Sequence, residues 1–320
     1  MGSQNPTQFR ISSRSAAVRA KREYYFDRDK ANHVIEFFET WLCHSKGKFA
    51  GKPFTLLNWE REALANLFGW CRCDTGKRRY RVGYISTPKK NGKTTLLAGI
   101  ALYLLLMDDE PGSEVYGAAF DREQGSMVYR EAAAMVRASP RLRQFLEIVD
   151  TRKTIAYKDR SSFYRVLTRE SAAAEGLNIH GLLFDELHTQ RDRKLWDALR
   201  YGGASREQPM LLSTTTAGFA RNTICWEQYQ YAKAVAADPS IDPTFFSCIH
   251  EAPEEADWKD PAVWEAANPS WGETFDPEAF RADFREAEQS TAKENSFRRY
   301  RPVSYTHLRA HETKANLVCR

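Results

Sequence analysis

The sequence lacks the features of a membrane or secreted protein. No apolar run reaches the roughly 18 residues that a membrane-spanning helix needs, and the most apolar stretch, Leu96 to Met107, is shorter than that. The segment from Gly2 to Arg22 is polar and basic, unlike a secretory signal. We therefore expect a protein that acts away from membranes.

Closely spaced cysteine pairs are also scarce. Of the six cysteines, only Cys71 and Cys73 lie close together, and no second pair stands at zinc-finger spacing. Reduced thiols and a cytoplasmic compartment are the expectation. The chain has no internal repeat and no long low-complexity linker. With 320 residues, 42% of them hydrophobic, it can bury a substantial core in one large domain or two.

The net charge of +5 is modest, but basic residues are concentrated in short segments. Such segments can contact the phosphates of a nucleic acid, although many basic runs are only solvated surface. The charge distribution therefore permits nucleic-acid binding without requiring it. The segments are Arg10–Arg28, Lys77–Arg81, Arg191–Lys194 and Arg298–Arg301.

A candidate phosphate-binding loop separates a predicted strand from a predicted helix. Alternating apolar residues predict a strand that ends at Ser86, and an apolar helix is predicted from Thr94 to Met107. Gly92 lets the backbone turn its N–H groups toward an anion, and Lys93 can reach the β- and γ-phosphates. The hydroxyl of Thr94 can bind Mg²⁺. The predicted nucleotide-binding residues are Lys89, Lys90, Asn91, Gly92, Lys93, Thr94 and Thr95.

The loop departs from the pattern G-x-x-x-x-G-K followed by Ser or Thr. Thr87 occupies the place of the first glycine. A lysine-rich turn before a helix can also serve solubility alone. A second element is therefore needed to decide between the two interpretations.

That second element is an apolar strand, Gly181 to Phe184, which ends in two adjacent acids. In a buried parallel strand the acids face the crevice at the carboxyl edge of the sheet, where ligands bind. We predict that Asp185 holds Mg²⁺ and that Glu186 orients and deprotonates the attacking water. Alternatively, the two acids lie in the first turn of a helix and only complement its dipole.

A run of threonines ends a further apolar predicted strand, Met210 to Thr216. In an ATPase, a strand beside the acidic strand can end in a hydroxyl that senses the γ-phosphate. Thr215 and Thr216 are placed for this coupling role. Threonine is also simply a good strand former, and only the other two motifs favour sensing.

Strands and helices alternate along most of the chain. This order predicts an α/β fold of the P-loop NTPase type, an open and mainly parallel sheet with helices on both faces. The predicted strands besides those above are Glu114–Ala119, Phe163–Thr168 and Phe245–Ile249. The predicted helices are Asn32–Leu42, Trp59–Trp70, Thr94–Met107, Arg122–Arg137, with Asp121 as its N-cap, and Trp226–Ala237.

The motifs, in this order, resemble those of the large terminase subunit of tailed bacteriophages, and the resemblance runs from roughly Thr55 to Arg301. The loop and the acidic strand would then be its Walker A and Walker B motifs. The segments that carry the resemblance are Pro88–Thr94, Glu114–Ala119 with Asp121 and Arg122, Asp185–His188, and Thr215–Phe219.

The resemblance implies a motor that hydrolyses ATP with Mg²⁺ and pumps double-stranded DNA into a procapsid. It also implies a portal protein and a small terminase subunit as partners, and assembly into a homo-oligomeric ring. The site of action would be the host cell cytoplasm, transiently at the procapsid portal. Members of the family join this motor to a C-terminal nuclease of the RNase H type.

Three positions qualify what the resemblance implies. The family usually has an arginine where Lys89 stands, so the charge is kept but the planar fork is lost; we assign Lys89 to the catalytic set with Lys93 and Glu186. A glutamine that reads adenine is replaced by Glu60. A trans-acting arginine finger is expected, and Arg122 and Arg169 are both candidates.

The resemblance suggests four segments. Residues 1–54 form a basic and helical N-terminal segment, 55–250 the motor, and 251–301 a helical linker toward a nuclease. Residues 302–320 do not resemble the family and are expected to be non-native. We expect no nuclease activity, because two-metal cleavage needs several converging acids. The alternatives are a helicase-like P-loop ATPase and a fragment that binds nucleotide without hydrolysing it.

Overall fold

The computed structural model describes residues 23–118, 122–167, 176–190, 192–218, 220–274 and 276–302, with 48 and 122–124 described by backbone alone. The expectations for the segment before Glu23, for Asp121 as an N-cap and for the tail from 303 to 320 lie outside the described residues. In the described part of the chain, no helix is both long and apolar enough to cross a membrane.

The centre of the protein is an eight-stranded sheet with the strand order β10-β3-β9-β8-β4-β7-β6-β5. All neighbours are parallel except β5 with β6 and β6 with β7, so the mainly parallel sheet is confirmed. Two further strands, β1 and β2, pair with each other. The strands are β1 (Tyr24–Phe26), β2 (Trp70–Arg72), β3 (Val82–Ser86), β4 (Glu114–Ala118), β5 (Glu147–Val149), β6 (Thr154–Tyr157), β7 (Ser162–Leu167), β8 (Ile179–Phe184), β9 (Met210–Thr215) and β10 (Phe245–Ile249).

Helices cover both faces of the sheet, as predicted. One apolar core joins the first five helices to the sheet, and the other joins the sixth and seventh helices to the opposite face. The helices of the described residues are α1 (Arg28–Trp41), α2 (Asn58–Gly69), α3 (Lys93–Leu106), α4 (Arg122–Ala138), α5 (Leu142–Phe145), α6 (Lys194–Leu199), α7 (Ile224–Ala237), α8 (Pro261–Ala267), α9 (Pro277–Ala287) and α10 (Thr291–Tyr300).

The alternation of side chains along each strand explains the two cores. In β3, Tyr84 belongs to the core with α7 while its neighbour Ile85 belongs to the core with α3. In β8, Leu183 faces the α3 side, and Leu182 faces the other. Because successive side chains of a strand point to opposite faces, a sheet that is covered on both sides needs nearly continuous apolar strands.

The strand order brings three predicted motifs to one edge. Strand β9 lies between β3 and β8, with Thr215 opposite Ser86 and Ser213 opposite Phe184. The loop after β3, the acids after β8 and the threonines of β9 therefore lie at the same carboxyl edge. The sequence predicts each strand, and the pairing of the strands brings the three motifs close together.

The C-terminal helices form a small core of their own. Trp264, Phe280 and Phe297 pack together with ring centroids 5.2 to 5.8 Å apart. The segment 251–301, expected to be helical, contains the three helices α8, α9 and α10, with a break between Ala287 and Thr291.

Short antiparallel elements were not predicted from the sequence. Strands β5 and β6 have three and four residues, too few for a clear alternation, and Lys153 turns the chain between them with φ 47°. Strand β2 follows α2 directly, so the helix ends at Gly69 rather than at Trp70.

Helix α3, which carries the loop lysine, is tightly packed along its length. Eleven of its fourteen residues are buried. A Cβ atom added at Gly99 would lie 2.3 Å from Cε1 of Phe38, which is itself fully buried in α1. Gly99 therefore allows α1 to approach the helix that positions the site.

We predict that Gly99→Ala lowers the free energy of unfolding. Overpacking a full core costs about 1–3 kcal/mol, which exceeds the gain of up to about 1 kcal/mol in helix propensity. In a Phe38→Leu background the smaller side chain removes the clash, so there Gly99→Ala should be neutral or stabilising. Urea unfolding of the four proteins measures both effects, and equal destabilisation in both backgrounds would contradict this packing.

Candidate active site

The loop between β3 and α3 has the backbone conformation of a tight turn. Lys90 has φ 74° and Gly92 has φ 88°, both in the left-handed region. A Cβ atom at Gly92 would lie 2.9 Å from Oε1 of Glu60, so both conformation and space favour glycine here. Gly92 caps α3, whose first N–H groups have no partner within the helix.

Lys93 is buried at the start of α3. Its ammonium group donates hydrogen bonds to the carbonyl oxygens of Thr87, at 2.8 Å, and Pro88, at 3.0 Å. Burial lowers the pKa of Lys93, while the charges of Glu186 and Asp185 act in the opposite direction. The predicted phosphate lysine thus lies among the loop and both predicted acids.

Asp185 accepts hydrogen bonds from two hydroxyls and one backbone group. The Thr94 hydroxyl donates to Oδ2 at 2.9 Å, and the Thr214 hydroxyl donates to Oδ1 at 2.7 Å. The Glu186 N–H also donates to Oδ1, at 3.0 Å. Burial raises the pKa of Asp185, and the neighbouring Glu186 charge raises it further. A hydroxyl and a carboxylate are hard oxygen ligands, so Thr94 and Asp185 fit Mg²⁺.

Glu186 has a strained backbone and a half-buried side chain. Its φ of 51° and ψ of 55° place it in the left-handed region, which is uncommon for a residue other than glycine. Its Oε2 lies 3.1 Å from Nδ1 of His188. Burial alone would raise the pKa of Glu186, but the His188 hydrogen bond and the Lys93 charge outweigh it and lower the pKa. An ionised carboxylate is the form that can accept a proton.

Thr215 and Thr216 are fully buried at the end of β9. The Thr215 hydroxyl donates to the carbonyl oxygen of Thr216 at 2.9 Å and accepts from the His188 N–H at 3.1 Å. His188 therefore lies between the acids and the threonines. The sequence placed His188 inside a motif but gave it no role, because the contact depends on the pairing of β8 with β9.

Lys89 and Lys90 contact the C-terminal helices. The Lys89 ammonium lies 3.5 Å from the centroid of the Tyr300 ring, and the backbone N–H of Lys89 donates to the Tyr300 carbonyl oxygen at 3.0 Å. Burial lowers the pKa of Lys89, against the charge of Glu186. Lys90 is exposed, and its carbonyl accepts from the Thr274 hydroxyl at 2.6 Å.

The Asn91 side chain is occupied by a distant segment. Its Nδ2 donates to Oδ1 of Asn268 at 2.9 Å, and its Oδ1 accepts from the Ser270 N–H at 3.0 Å. The Asn91 side chain is thus engaged within the protein, and its predicted role in binding phosphate would fall to its backbone N–H. Asn268 and Ser270 lie far along the chain from the loop, and no local pattern in the sequence indicates them.

Glu60, at the position where the family has glutamine, is buried beside the loop. Its Oε2 accepts from the Leu57 N–H at 3.0 Å, and burial raises the pKa of Glu60 to about 7. Its neighbour Trp59 donates from Nε1 to the Ser270 hydroxyl at 2.9 Å. Glu60 therefore packs beside the loop, and Trp59 contacts the C-terminal segment.

The remaining predicted residues are placed only in part. Thr95 lies half-buried in the first turn of α3. Arg122 begins α4, but its side chain is outside the described residues. Arg169 lies outside them altogether, so the choice between the two arginine candidates stays open.

Known proteins are similar to this chain in sequence and in fold. A family model described as terminase large subunit, ATPase domain, matches residues 58–234. The chain is 28% identical over 277 residues to the large terminase subunit of Enterobacteria phage HK97, a match that covers 84% of this chain and 52% of that protein. It is 28% identical over 131 residues to protein YmfN of Escherichia coli K12, covering 41% of this chain and 28% of that protein.

The crystal structure of the HK97 large terminase is similar in fold. Its TM-score is 0.74 at 24% identity, over 86% of this chain and 55% of that chain. The chain thus spans about half the length of the HK97 protein, at 52%. The family match includes the loop, both acids and the threonines of β9, and it extends over more than half of the sequence. This chain therefore belongs to the terminase large subunit family and contains its ATPase domain.

Proposed function

We propose that this chain hydrolyses ATP and uses the energy to move double-stranded DNA into a procapsid. The observation that carries the proposal is the hydrogen bond of 2.9 Å between Thr94 and Asp185, which joins the phosphate loop to the acidic strand. Lys93 and Glu186 lie beside this pair. One compact site thus contains a group for each step of phosphoryl transfer to water.

Each group has a separate task in this mechanism. The loop N–H groups and Lys93 bind the phosphates, and Thr94 and Asp185 hold the metal ion. Bound Mg-ATP supplies the electrophilic phosphorus and the leaving group. Glu186 orients the attacking water and accepts its proton, which a half-buried and ionised carboxylate can do. Lys89 adds a positive charge at the mouth of the loop.

The threonines of β9 would couple hydrolysis to movement. Strand β9, which ends at Thr215, pairs with both the loop strand and the acidic strand. A change at the γ-phosphate between those two strands would therefore reach Thr215 and Thr216 directly. An arginine finger from a neighbouring subunit, Arg122 or Arg169, would complete the site in a homo-oligomeric ring. Such a finger contributes roughly 10³ to 10⁵ in rate.

The proposed partners and location are those that the family resemblance implies. We propose double-stranded DNA, a portal protein and a small terminase subunit as partners, in the host cell cytoplasm and transiently at the procapsid portal. The division into 1–54, 55–250, 251–301 and 302–320 stays a proposal. The contacts of residues 268–300 with the loop support a working connection between the motor and the segment that follows it.

Lys93→Ala tests the proposal. We predict that the wild-type chain hydrolyses ATP faster with double-stranded DNA than without it, and that Lys93→Ala removes hydrolysis and strongly weakens binding of the triphosphate. Lys158→Ala, an exposed lysine far from the loop along the chain, is the matched control. Equal turnover in Lys93→Ala would remove the loop from the mechanism. Strand displacement would favour a helicase, and binding without turnover would favour a nucleotide-binding fragment.

Glu186→Gln separates chemistry from binding. We predict that Mg-ATP affinity stays within several-fold of wild type while turnover falls by about two to four orders of magnitude, as for loss of a general base. Asp185→Asn should lower both, because it alters the metal site. Steady-state hydrolysis assays measure turnover, and titration with nucleotide measures Mg-ATP affinity. Parallel losses of affinity and rate in Glu186→Gln would assign Glu186 to metal binding or structure instead.

Nuclease activity is not part of the proposed function. Two-metal cleavage needs several converging carboxylates, whereas Asp257 and Asp260 accept hydrogen bonds from the N–H groups of Lys259, at 3.0 Å, and Ala262, at 2.8 Å. We predict no cleavage of plasmid DNA by the 320-residue chain with Mg²⁺ or Mn²⁺, as judged by gel electrophoresis. Metal-dependent cleavage that is lost in Asp257→Ala or Asp260→Ala would contradict this.

A further inference from the structure

His188 contacts both the proposed base, Glu186, and the proposed coupling residues, Thr215 and Thr216. Its Nδ1 lies 3.1 Å from Oε2 of Glu186, 3.3 Å from Oγ1 of Thr215 and 3.4 Å from Oγ1 of Thr216. Its backbone N–H donates to the same Thr215 oxygen at 3.1 Å. Its side chain is only 9% exposed, so the imidazole is held in place.

The donors and acceptors of this cluster restrict the bonds it can form. An ionised carboxylate only accepts hydrogen bonds, so an attractive contact between Oε2 of Glu186 and Nδ1 of His188, which lie 3.1 Å apart, requires a proton on Nδ1. The Thr215 hydroxyl directs its own proton to the carbonyl of Thr216, so its oxygen can only accept. The single Nδ1–H therefore faces one carboxylate and two hydroxyl oxygens.

The chain connections make this cluster a bridge between strands. His188 lies in the short turn that follows β8, and both threonines lie at the end of β9. Thr215 also contacts Sγ of Cys225, at 3.6 Å, in the first turn of α7. A shift of the end of β9 or of α7 would therefore reach the imidazole before it reached Glu186.

We propose that His188 is a positioning residue that fixes the Glu186 carboxylate and makes its placement depend on Thr215 and Thr216. This inference rests on the proposed function, because it takes Glu186 as the base. It deepens that function by assigning the physical link between hydrolysis and the coupling threonines. His188 itself does not touch the reacting atoms.

A set of His188 variants tests the positioning role. Asparagine can place its amide nitrogen near the position of Nδ1, whereas glutamine places it closer to the position of Nε2, and alanine has no donor. We expect His188→Ala and His188→Gln to lower kcat by roughly 10²-fold, the size of effect that misplacing a catalytic group by about 1 Å produces. His188→Asn should recover most of the rate, and Mg-ATP affinity should stay near wild type in all three variants.

A second measurement separates positioning from folding. If the imidazole acts through Glu186, adding His188→Ala to Glu186→Gln should lower turnover no further, and His188→Ala should be non-additive with Thr216→Val. Unfolding curves and Mg-ATP binding identify any variant that merely fails to fold. His188→Gln as active as His188→Asn, wild-type turnover in His188→Ala, or additive losses in the double variants would each overturn the inference.

The same assay distinguishes failure of this inference from failure of the proposed function. Loss of turnover in Glu186→Gln with wild-type turnover in His188→Ala would leave the ATPase proposal standing and remove only the role of His188. Wild-type turnover in Glu186→Gln would remove the base itself, and with it the reason for the positioning role.

Discussion

The site depends on the burial of Asp185 at the end of β8. A carboxylate that is removed from water must be satisfied by donors or by a cation, and here Thr94, Thr214 and the Glu186 N–H supply the hydrogen bonds. Thr94 belongs to α3 and Thr214 to β9. The bonds of one buried acid therefore fix the start of the phosphate-loop helix relative to two strands of the sheet.

The charges around this acid balance one another. Lys93 is buried and Lys89 half-buried, and desolvation lowers the pKa of both; Glu186 is a half-buried anion whose ionised form is favoured by His188 and Lys93. Each group would be costly to bury alone. Their proximity lets a partly buried site keep these charges, because electrostatic interactions are stronger where the dielectric is low.

The sequence predicts the parts of the site that are local and misses those that depend on pairing. The glycine, lysine and threonine of the loop are consecutive, and Asp185 directly follows an apolar strand, so each motif is visible by itself. His188 acquires its contacts only when β8 lies beside β9. Asn268 and Tyr300 contact the loop because α8 to α10 pack against it. The sequence of the loop does not indicate these distant contacts. Short strands such as β5 carry too few residues to show a period.

Thr215 is the residue at which these constraints meet. Its carbonyl accepts a hydrogen bond from the N–H of Thr87, at 3.2 Å, so it holds the first residue of the phosphate loop. Its hydroxyl accepts from the His188 N–H, so it also holds the turn after the acids. A displacement of Thr215 must therefore move the loop and the acidic turn together. Since Asn91 contacts Asn268 at the end of α8 and Lys89 contacts Tyr300 at the end of α10, the same loop also connects Thr215 to the C-terminal helices.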